Sequence, residues 1–289
     1  MKHRVTIAVV AAALTAGCGN VNAALERLSQ ARRLSADLHV QFTKASNATD
    51  RAVMAVTDAA SAGYAKDAAA AKDAIHHDVA ALRPLLAELH YSDETAILDQ
   101  FEKRLADYEQ LDREILELAV ENTNLKAQEL SFGAAQGAAD TLAQNLDAVK
   151  PVSASEAWHV KATAAVAIGA VRQIQVLQAP HIAAPEDASM SGIEARMKTA
   201  ETTARDALAA LAPLVDSPSR EKLAAATDAL NRFMDVNARI IGFSHRNSNV
   251  RSLALALNQK PARVAPCEDS LRALDDALAH HGLPKGRWE

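Results

Sequence analysis

Two pairs of adjacent histidines are the first residues in this chain whose type suggests chemistry. They are His76-His77 and His280-His281. Adjacent residues on a helix point about 100 degrees apart, and metal ligands come from positions i and i+4 or from different helices. One such pair therefore seldom holds a single ion. We interpret both pairs as solvated surface histidines, and we predict no metal site.

Haem is the second possibility that the histidines raise. Covalent c-type attachment needs Cys-x-x-Cys-His, which does not occur at Cys18 or Cys267, the two cysteines of the chain. A non-covalent haem between helices could use His159, His181 or His245, but no local motif supports any of the three. We therefore expect no cofactor.

The motifs of the common enzyme classes do not occur in the sequence. It has no Gly-rich phosphate loop, no Gly-x-Ser-x-Gly and no His-Glu-x-x-His. Arg32-Arg33 and Arg51 fall on the first predicted helix, where an anion could bind, but arginines without a pocket usually face solvent. We interpret the chain as a protein that is not an enzyme.

Cys267 allows two interpretations. It follows Pro266 at a predicted helix start, a position that lowers the pKa of a thiol. It also lies 125 residues after Leu142, its counterpart in the internal repeat described below, and this relation indicates an apolar, buried position. We favour the buried position.

The first residues are typical of a bacterial export signal. Basic residues open the chain, and residues 5–13 form an apolar run that is shorter than the roughly 20 residues of a stable membrane anchor. The run ends at residues 14–18, Leu-Thr-Ala-Gly-Cys, which resemble the lipobox of bacterial lipoproteins. The resemblance implies a signal peptide at residues 1–17, lipid attachment at Cys18, and a location on the periplasmic side of a bacterial membrane.

Cleavage at the small-x-small site of residues 21–23 is the alternative, and it would remove Cys18. If Cys18 is lipidated, Cys267 has no partner, so packing rather than a disulfide must stabilise the exported protein. The formal charge of −5 becomes −7 when Lys2 and Arg4 leave with the signal, and this balance argues against nucleic acid as a partner. We expect no further membrane-crossing stretch after residue 18.

Composition and periodicity both predict helices. The mature chain is rich in alanine and poor in aromatic residues, and alanine loses no side-chain entropy in a helix. Apolar residues recur every three or four positions in two stretches, and no window alternates with a period of two. The first stretch contains Phe101, Leu105, Tyr108, Leu111, Ile115 and Leu118, and the second contains Leu223, Leu230, Phe233, Val236, Ile240 and Phe243.

The two stretches belong to an internal repeat. Residues 105–132 align with residues 230–257 after a shift of 125 positions. The aligned pairs include Leu105/Leu230, Tyr108/Phe233, Ile115/Ile240, Asn122/Asn247, Asn124/Asn249 and Leu130/Leu255. The seam is at Lys150-Pro151, since proline disfavours helix in the residue before it. The repeat predicts an all-α fold of two tandem antiparallel up-and-down helical bundles, residues 18–150 and residues 151–289.

Interruptions of the helices are predicted at two kinds of site. Clusters of turn-forming residues occur at residues 61–63, 89–93, 150–151, 179–185, 216–218 and 261–266. The repeated Asn-x-Asn segments at residues 122–124 and 247–249 allow two interpretations. They form tight turns between antiparallel helices, which the helix lengths favour, or they lie inside long helices as buried polar residues that fix register.

The repeated unit resembles the four-helix-bundle sensor domains of methyl-accepting chemotaxis proteins. The resemblance rests on Leu-x-x-Tyr at residues 105–108, Ile-Leu-Glu-Leu-Ala at residues 115–119 and Lys-Ala at residues 126–127. These segments are similar to the third and fourth helices of that family, and the two copies cover nearly all of the mature chain. Family members continue into an output module that we do not find in this sequence. No ligand-contacting arginine can be carried over residue by residue.

The resemblance implies a sensing module that binds a small organic anion between helices or at a homodimer seam. It would signal through a receptor or kinase partner and be held in the lipid bilayer by acylated Cys18. The alternative is a structural lipoprotein that scaffolds an envelope complex without a small ligand. A scaffold should carry a contiguous exposed apolar patch, whereas a sensor should carry a polar concave pocket between helices.

Overall fold

The computed structural model describes residues 4–281, with side chains from residue 22 onward. These residues form an all-α fold, as composition and periodicity predict. The helices are α1 (Arg4–Val53), α2 (Asp58–Glu88), α3 (Ser92–Glu121), α4 (Thr123–Leu130), α5 (Gln136–Asp147), α6 (Ala157–Ala183), α7 (Asp187–Leu211), α8 (Ser219–Arg246), α9 (Ser248–Asn258) and α10 (Lys260–His280). A π-helical turn, Ser131–Ala135, joins α4 to α5. Residues 1–3 of the predicted signal peptide and the side chains of residues 4–21, including Cys18, lie outside what is described.

The chain folds into two compact units, and only one of them is continuous in sequence. Unit 2 is the segment Glu121–Arg251, and unit 1 is formed by the described residues before and after it. The units therefore do not divide at the predicted boundary between residues 150 and 151. The reason lies in the fourth helix of each repeat copy: α5 packs on α6 and α8, while α10 packs on α1. Each unit thus combines three helices of one copy with the fourth helix of the other.

Unit 1 is a bundle of α1, α2, α3 and α10 around a cluster of aromatic side chains. Phe42 of α1 packs edge-on against Phe101 and Tyr108 of α3, with ring centroids 6.2 Å and 5.1 Å apart. The predicted apolar stripe of α3 faces this core. The fourth helix contributes the buried side chains of Cys267, Leu271, Leu274 and Leu278.

A buried carboxylate joins three helices of unit 1. Asp112 lies 2.6 Å from both Lys72 Nζ and Thr49 Oγ1, and the Tyr108 hydroxyl donates to it at 3.0 Å. Burial and the neighbouring Asp112 charge raise the pKa of Tyr108 well above its usual value, so its hydroxyl remains a donor. These partners offset the cost of removing a charge from water.

Unit 2 is a bundle of α4–α5, α6, α7 and α8. The second predicted stripe faces its core, where Leu230, Phe233 and Ile240 are fully buried, and α5 adds Leu142. The segment Ala154–Ala183, which contains α6, is long and apolar enough to cross a membrane by length and composition, with a mean hydropathy of 1.2. We expected no such stretch after residue 18. In the most apolar 18-residue stretch of this segment, 39% is buried inside the protein.

Three of the predicted helix breaks are confirmed. They lie between α2 and α3, between α5 and α6, and between α7 and α8. The break predicted at residues 61–63 is wrong. α2 begins at Asp58 after its N-cap Thr57, and Ser61 lies inside the helix. The buried hydroxyl of Ser61 donates to the carbonyl of Ala119 at 2.9 Å, so the residue serves packing rather than a turn.

Two other breaks are displaced because prolines lie inside helices. Pro180 is contained in α6, which continues to Ala183, and Pro266 is contained in α10. α10 begins at Lys260, with Pro261 in its first turn. A proline is tolerated there because the first amides of a helix have no intrahelical acceptor.

The repeated asparagines end α3 and α8 in a left-handed conformation. Asn122 has φ 49° and ψ 39°, and Asn247 has φ 50° and ψ 39°. Asparagine tolerates this region better than most residues. The helix is therefore interrupted at both positions, and the interpretation as one long helix is wrong. The interruption that the favoured turn predicts is confirmed, but the flanking helices are not antiparallel neighbours of one bundle, because α3 belongs to unit 1 and α4 to unit 2.

Candidate functional site

Unit 2 encloses a row of polar side chains within its apolar core. Gln178 of α6 is fully buried, and its Oε1 accepts from Ser131 Oγ at 2.7 Å. Its Nε2 donates to Asn237 Oδ1 of α8 at 2.9 Å. Ser131 begins the π-helical turn, a feature frequently found at functional sites. The row fixes α6 against α8 and the π-helical turn, because buried polar atoms require partners.

Close to Gln178, His181 of α6 meets side chains from two other helices. His181 Nε2 lies 2.9 Å from Oε1 of Glu194 on α7, and Nε2 of His245 on α8 lies 2.8 Å from the same oxygen. The imidazole centroids are 5.7 Å apart, with ring planes at 85°. One ligand atom from each of the three side chains lies within 4.8 Å of the others. Two imidazoles and one carboxylate thus surround one point.

The environment of Glu194 favours its ionised form. Partial burial raises the pKa of Glu194, but hydrogen bonds with His181 and His245 lower it, and their combined effect is larger. The pKa of Glu194 therefore lies below its ordinary value. Asp187 Oδ1 lies 3.8 Å from Nδ1 of His245, which therefore has a carboxylate near each ring nitrogen. Nδ1 of His181 is buried and has no hydrogen-bond partner among the described residues.

The repeated asparagines fix the end of α6 that carries His181. Asn124 Nδ2 donates to the carbonyl of Ile182 at 2.8 Å, and Asn247 Nδ2 donates to the carbonyl of Ala184 at 3.0 Å. Asn124 Nδ2 also donates to Asn247 Oδ1 at 2.8 Å. The backbone that follows His181 is therefore held by side chains from both copies of the repeat.

A cleft of ≈ 720 Å³ lies between the end of α7 and the start of α8. Its apolar lining residues are Leu208, Ala209, Ala212, Leu223, Ala224 and Leu230. Arg205, Arg220 and Asp228 are its charged lining residues. Arg205 donates to Glu201 at 2.8 Å and to Asn231 at 2.9 Å. Arg220 forms no ion pair among the described residues, so its charge faces the cleft and solvent.

Unit 1 has a smaller and more polar cleft of ≈ 510 Å³ between α1 and α2. Lys44 and Arg51 line it together with Asp67. The guanidinium of Arg51 stacks on the Tyr64 ring, 4.2 Å from its centroid, and donates to its hydroxyl at 3.0 Å. The charge of Arg51 is therefore already engaged by its neighbour.

The two histidines of each adjacent pair have separate surroundings. His76 is exposed and lies 2.8 Å from Glu109, and His77 beside it is exposed as well. His280 Nδ1 lies 2.6 Å from the carbonyl of Asp276 one turn earlier in α10. His281 instead stacks on Tyr91 at 3.8 Å and lies 2.6 Å from Glu94. Neither pair converges on one point.

The other sequence candidates have structural roles. Arg32 donates Nε to the carbonyl of Leu278 at 2.9 Å and so binds the end of α10, and Arg33 is exposed. His159 is exposed and lies 3.0 Å from Glu156. Cys267 lies inside α10 rather than at a helix start, and burial raises its pKa to about 12. Its buried position is confirmed.

The comparisons with known proteins give one structural likeness. No protein-family model and no curated protein matches the sequence. The fold is similar to the crystal structure of the sensor domain of the V. parahaemolyticus histidine kinase sensor TorS, with a TM-score of 0.51 and 13% sequence identity. The match covers 88% of this chain and 99% of that chain. At this identity the likeness concerns the all-α fold alone.

Proposed function

We propose that this chain is a helical sensor module of the bacterial envelope that binds a small organic anion in unit 2, between α7 and α8. The observation that carries the proposal is a single cleft whose lining combines apolar side chains with Arg205 and Arg220. Its volume falls in the range of small-molecule sites, about 300–1,000 Å³. An organic anion offers a carboxylate to Arg220, which forms no ion pair among the described residues, and an apolar body to the apolar lining residues.

The fold supports a sensing role. The solved structure described above, whose fold is similar, is the sensor domain of a histidine kinase. We extend that role to this chain, which would act without catalysis of its own and signal through a receptor or kinase partner. Lipid attachment at Cys18, on the periplasmic side of the membrane, belongs to the same proposal and rests on the sequence at residues 14–18.

The position of the cleft suggests how binding would be transmitted. An anion that binds Arg220 of α8 and packs on Leu208 of α7 touches two helices at once, so it favours the arrangement in which the ends of these helices lie closer together. Shifts of about 1–2 Å between packed helices are a common signalling motion. Asn247, the C-cap residue of α8, also donates to the carbonyl of Ala184 in the connection between α6 and α7. Movement of α8 would therefore reach that connection.

The experiment is a thermal-shift panel of mono-, di- and tricarboxylates on the mature protein. The best ligand should raise the melting temperature of the wild type, because it binds only the folded state. The Arg220→Ala variant should lose this rise, and Arg232→Ala, an exposed arginine of α8 outside the cleft, should keep it. A panel without any shift, or an unchanged response of Arg220→Ala, would refute the proposal.

A second candidate function, as a structural module, is favoured by the outer face of α6. Trp158, Val166 and Val176 are 74%, 50% and 74% exposed and lie within one sector of the helix. Exposed apolar surface of this kind is typical of association sites. Sedimentation velocity tests whether a second copy occupies the face. A wild-type dimer that becomes monomeric on Val166→Glu favours this function, and a monomer at all concentrations argues against self-association.

A further inference from the structure

We propose that unit 2 binds one divalent metal ion of the zinc type through His181, Glu194 and His245. The three ligands come from α6, α7 and α8, so the ion would join three helices of the bundle. The site is separate from the anion cleft, because Glu194 and Arg205 are eleven residues apart on α7, roughly 16 Å along a helix axis. The proposal does not depend on the proposed sensing function.

The geometry leaves little to rearrange. Zinc binds imidazole nitrogen and carboxylate oxygen at about 2.0–2.2 Å, so ligand atoms in a tetrahedral set lie roughly 3.3 Å apart. Here the two imidazole nitrogens lie 2.9 Å and 2.8 Å from the shared carboxylate oxygen, and all three atoms lie within 4.8 Å of one another. Small side-chain movements would therefore admit an ion at their centre.

The ligand set selects the class of ion. Two imidazoles and one carboxylate suit zinc and similar first-row cations, whereas magnesium and calcium prefer oxygen ligands alone. Three protein ligands leave a fourth position for water or another ligand. His245 is 40% exposed, so the ion can enter from the surface, while the fully buried His181 closes the inner side.

The surroundings help to position two of the three ligands, His245 through its ring and His181 through its backbone. A ligating histidine usually offers its other ring nitrogen to a carboxylate, which sets the tautomer. Asp187 lies 3.8 Å from Nδ1 of His245 and can serve in this way, leaving Nε2 to the ion. The backbone beside His181 is fixed by the hydrogen bonds from Asn124 and Asn247, so the inner ligand is held on a rigid element.

The other histidine–carboxylate contacts of the described chain lack this convergence. His76 with Glu109 and His159 with Glu156 each bring a single imidazole to a single carboxylate. Such exposed pairs are common on helical surfaces and contribute little. The cluster in unit 2 differs because two imidazoles from different helices approach the same carboxylate oxygen.

The test is titration of the metal-free mature protein with Co²⁺, followed by visible absorption, and with Zn²⁺, followed by calorimetry. We expect one ion per chain and the absorption of four-coordinate cobalt. The His245→Ala and Glu194→Gln variants should bind at least about 100-fold more weakly, and Asp187→Asn about tenfold more weakly. Circular dichroism should show the wild-type helix content in each variant, since the side chains of Asp187, Glu194 and His245 all reach the surface.

His159→Ala is the matched control, because it removes an exposed histidine of unit 2 that also faces a carboxylate. It should bind as the wild type does. The proposal is overturned if folded His245→Ala keeps wild-type affinity, or if no ion binds to the wild type. It is equally overturned if binding is lost on His76→Ala/His77→Ala and retained on His245→Ala.

Discussion

Thr123 and Ser248 lie 125 residues apart in sequence and bond to each other reciprocally. The backbone amide of Thr123 donates to Ser248 Oγ at 3.1 Å, and the backbone amide of Ser248 donates to Thr123 Oγ1 at 2.9 Å. The same relation recurs one residue on, where Asn124 and Asn249 exchange bonds between backbone amides and side-chain oxygens. Equivalent positions of the repeat therefore meet each other, close to where the chain enters and leaves unit 2.

A double-mutant cycle should show that this contact is cooperative. Thr123→Val and Ser248→Ala each leave a buried backbone amide without its acceptor, so each should cost about 1–3 kcal/mol. Together they should cost less than the sum, because both variants remove the same bond from Thr123 Oγ1 to Ser248 Oγ at 3.1 Å, and we expect a coupling of about 1 kcal/mol by urea unfolding. Thr141→Val, which removes an exposed bond to the preceding helical turn, is the control and should cost little. Additive effects would contradict the bond between the two hydroxyl groups.

Asn247 should be required both for its conformation and for its side chain. Asn247→Ala removes two buried hydrogen bonds and places an alanine at φ 50°, so we expect a loss of about 3 kcal/mol. Asn247→Gly loses the same bonds without backbone strain and should be about 1 kcal/mol more stable than the alanine variant. Asn145→Ala, within a regular helix, is the control. Equal stability of the alanine and glycine variants would contradict the left-handed conformation.

Removal of Lys72 should leave the buried Asp112 without its cation. The Asp112 side chain is fully buried and Lys72 is only partly exposed, so Lys72→Met should cost about 2–3 kcal/mol. Lys66→Met, at an exposed position of the same helix, should cost less than about 0.5 kcal/mol. Urea unfolding measures both. A similar cost for the two variants would show that the ion pair does not stabilise unit 1.

The thiol of Cys267 should be inert in the folded protein. Burial raises its pKa to about 12, so almost no thiolate forms at roughly pH 8, and the side chain is shielded from reagents. In a Cys18→Ser variant, iodoacetamide should modify Cys267 in urea but leave it unmodified in buffer. Mass spectrometry follows the reaction, and rapid modification of the folded chain would contradict the buried position.

The ion pair of Glu121 and Arg246 should make stability depend on pH in the acidic range. The hydrogen bond from Arg246 lowers the pKa of Glu121, so the folded state favours the charged carboxylate. The ion pair therefore stabilises the folded state at pH values above the pKa of Glu121 in the unfolded chain. This stabilisation is lost as the pH falls through the lowered pKa of Glu121 in the folded protein. The stability difference between wild type and Glu121→Gln should shrink between roughly pH 6 and pH 3. A constant difference over this range would contradict the pairing.

Periodicity predicts much of this fold because one apolar stripe per helix suffices to place a helix in a bundle. The stripes through Tyr108 and Phe233 lie in the two cores as expected. The repeat also aligns Leu142 with Cys267, and both are fully buried. What periodicity does not encode is which bundle a helix joins, so the exchange of α5 and α10 between the two copies was missed.

The candidate sites were harder to predict for a related reason. His181 and His245 were considered separately as haem ligands, and no motif connects residues that are 64 positions apart in sequence. Their approach depends on the register of α6 against α8, which the row from Ser131 to Asn237 fixes inside the core. Glu194, Arg205 and Arg220 resemble ordinary charges of a solvated helix face in the sequence. No local sequence signal predicts that Glu194 lies beside the two histidines, or that the two arginines line one cleft.

Hydrogen–deuterium exchange with the best carboxylate from the thermal-shift panel tests the central claim, a ligand site between α7 and α8, most directly. We expect slower exchange in peptides covering residues 205–212 and 220–230, which line the cleft of unit 2. Arg220→Ala should abolish this protection. Protection confined to residues 41–51 and 67–71, which line the cleft of unit 1, would contradict the assignment, as would the absence of any protected peptide.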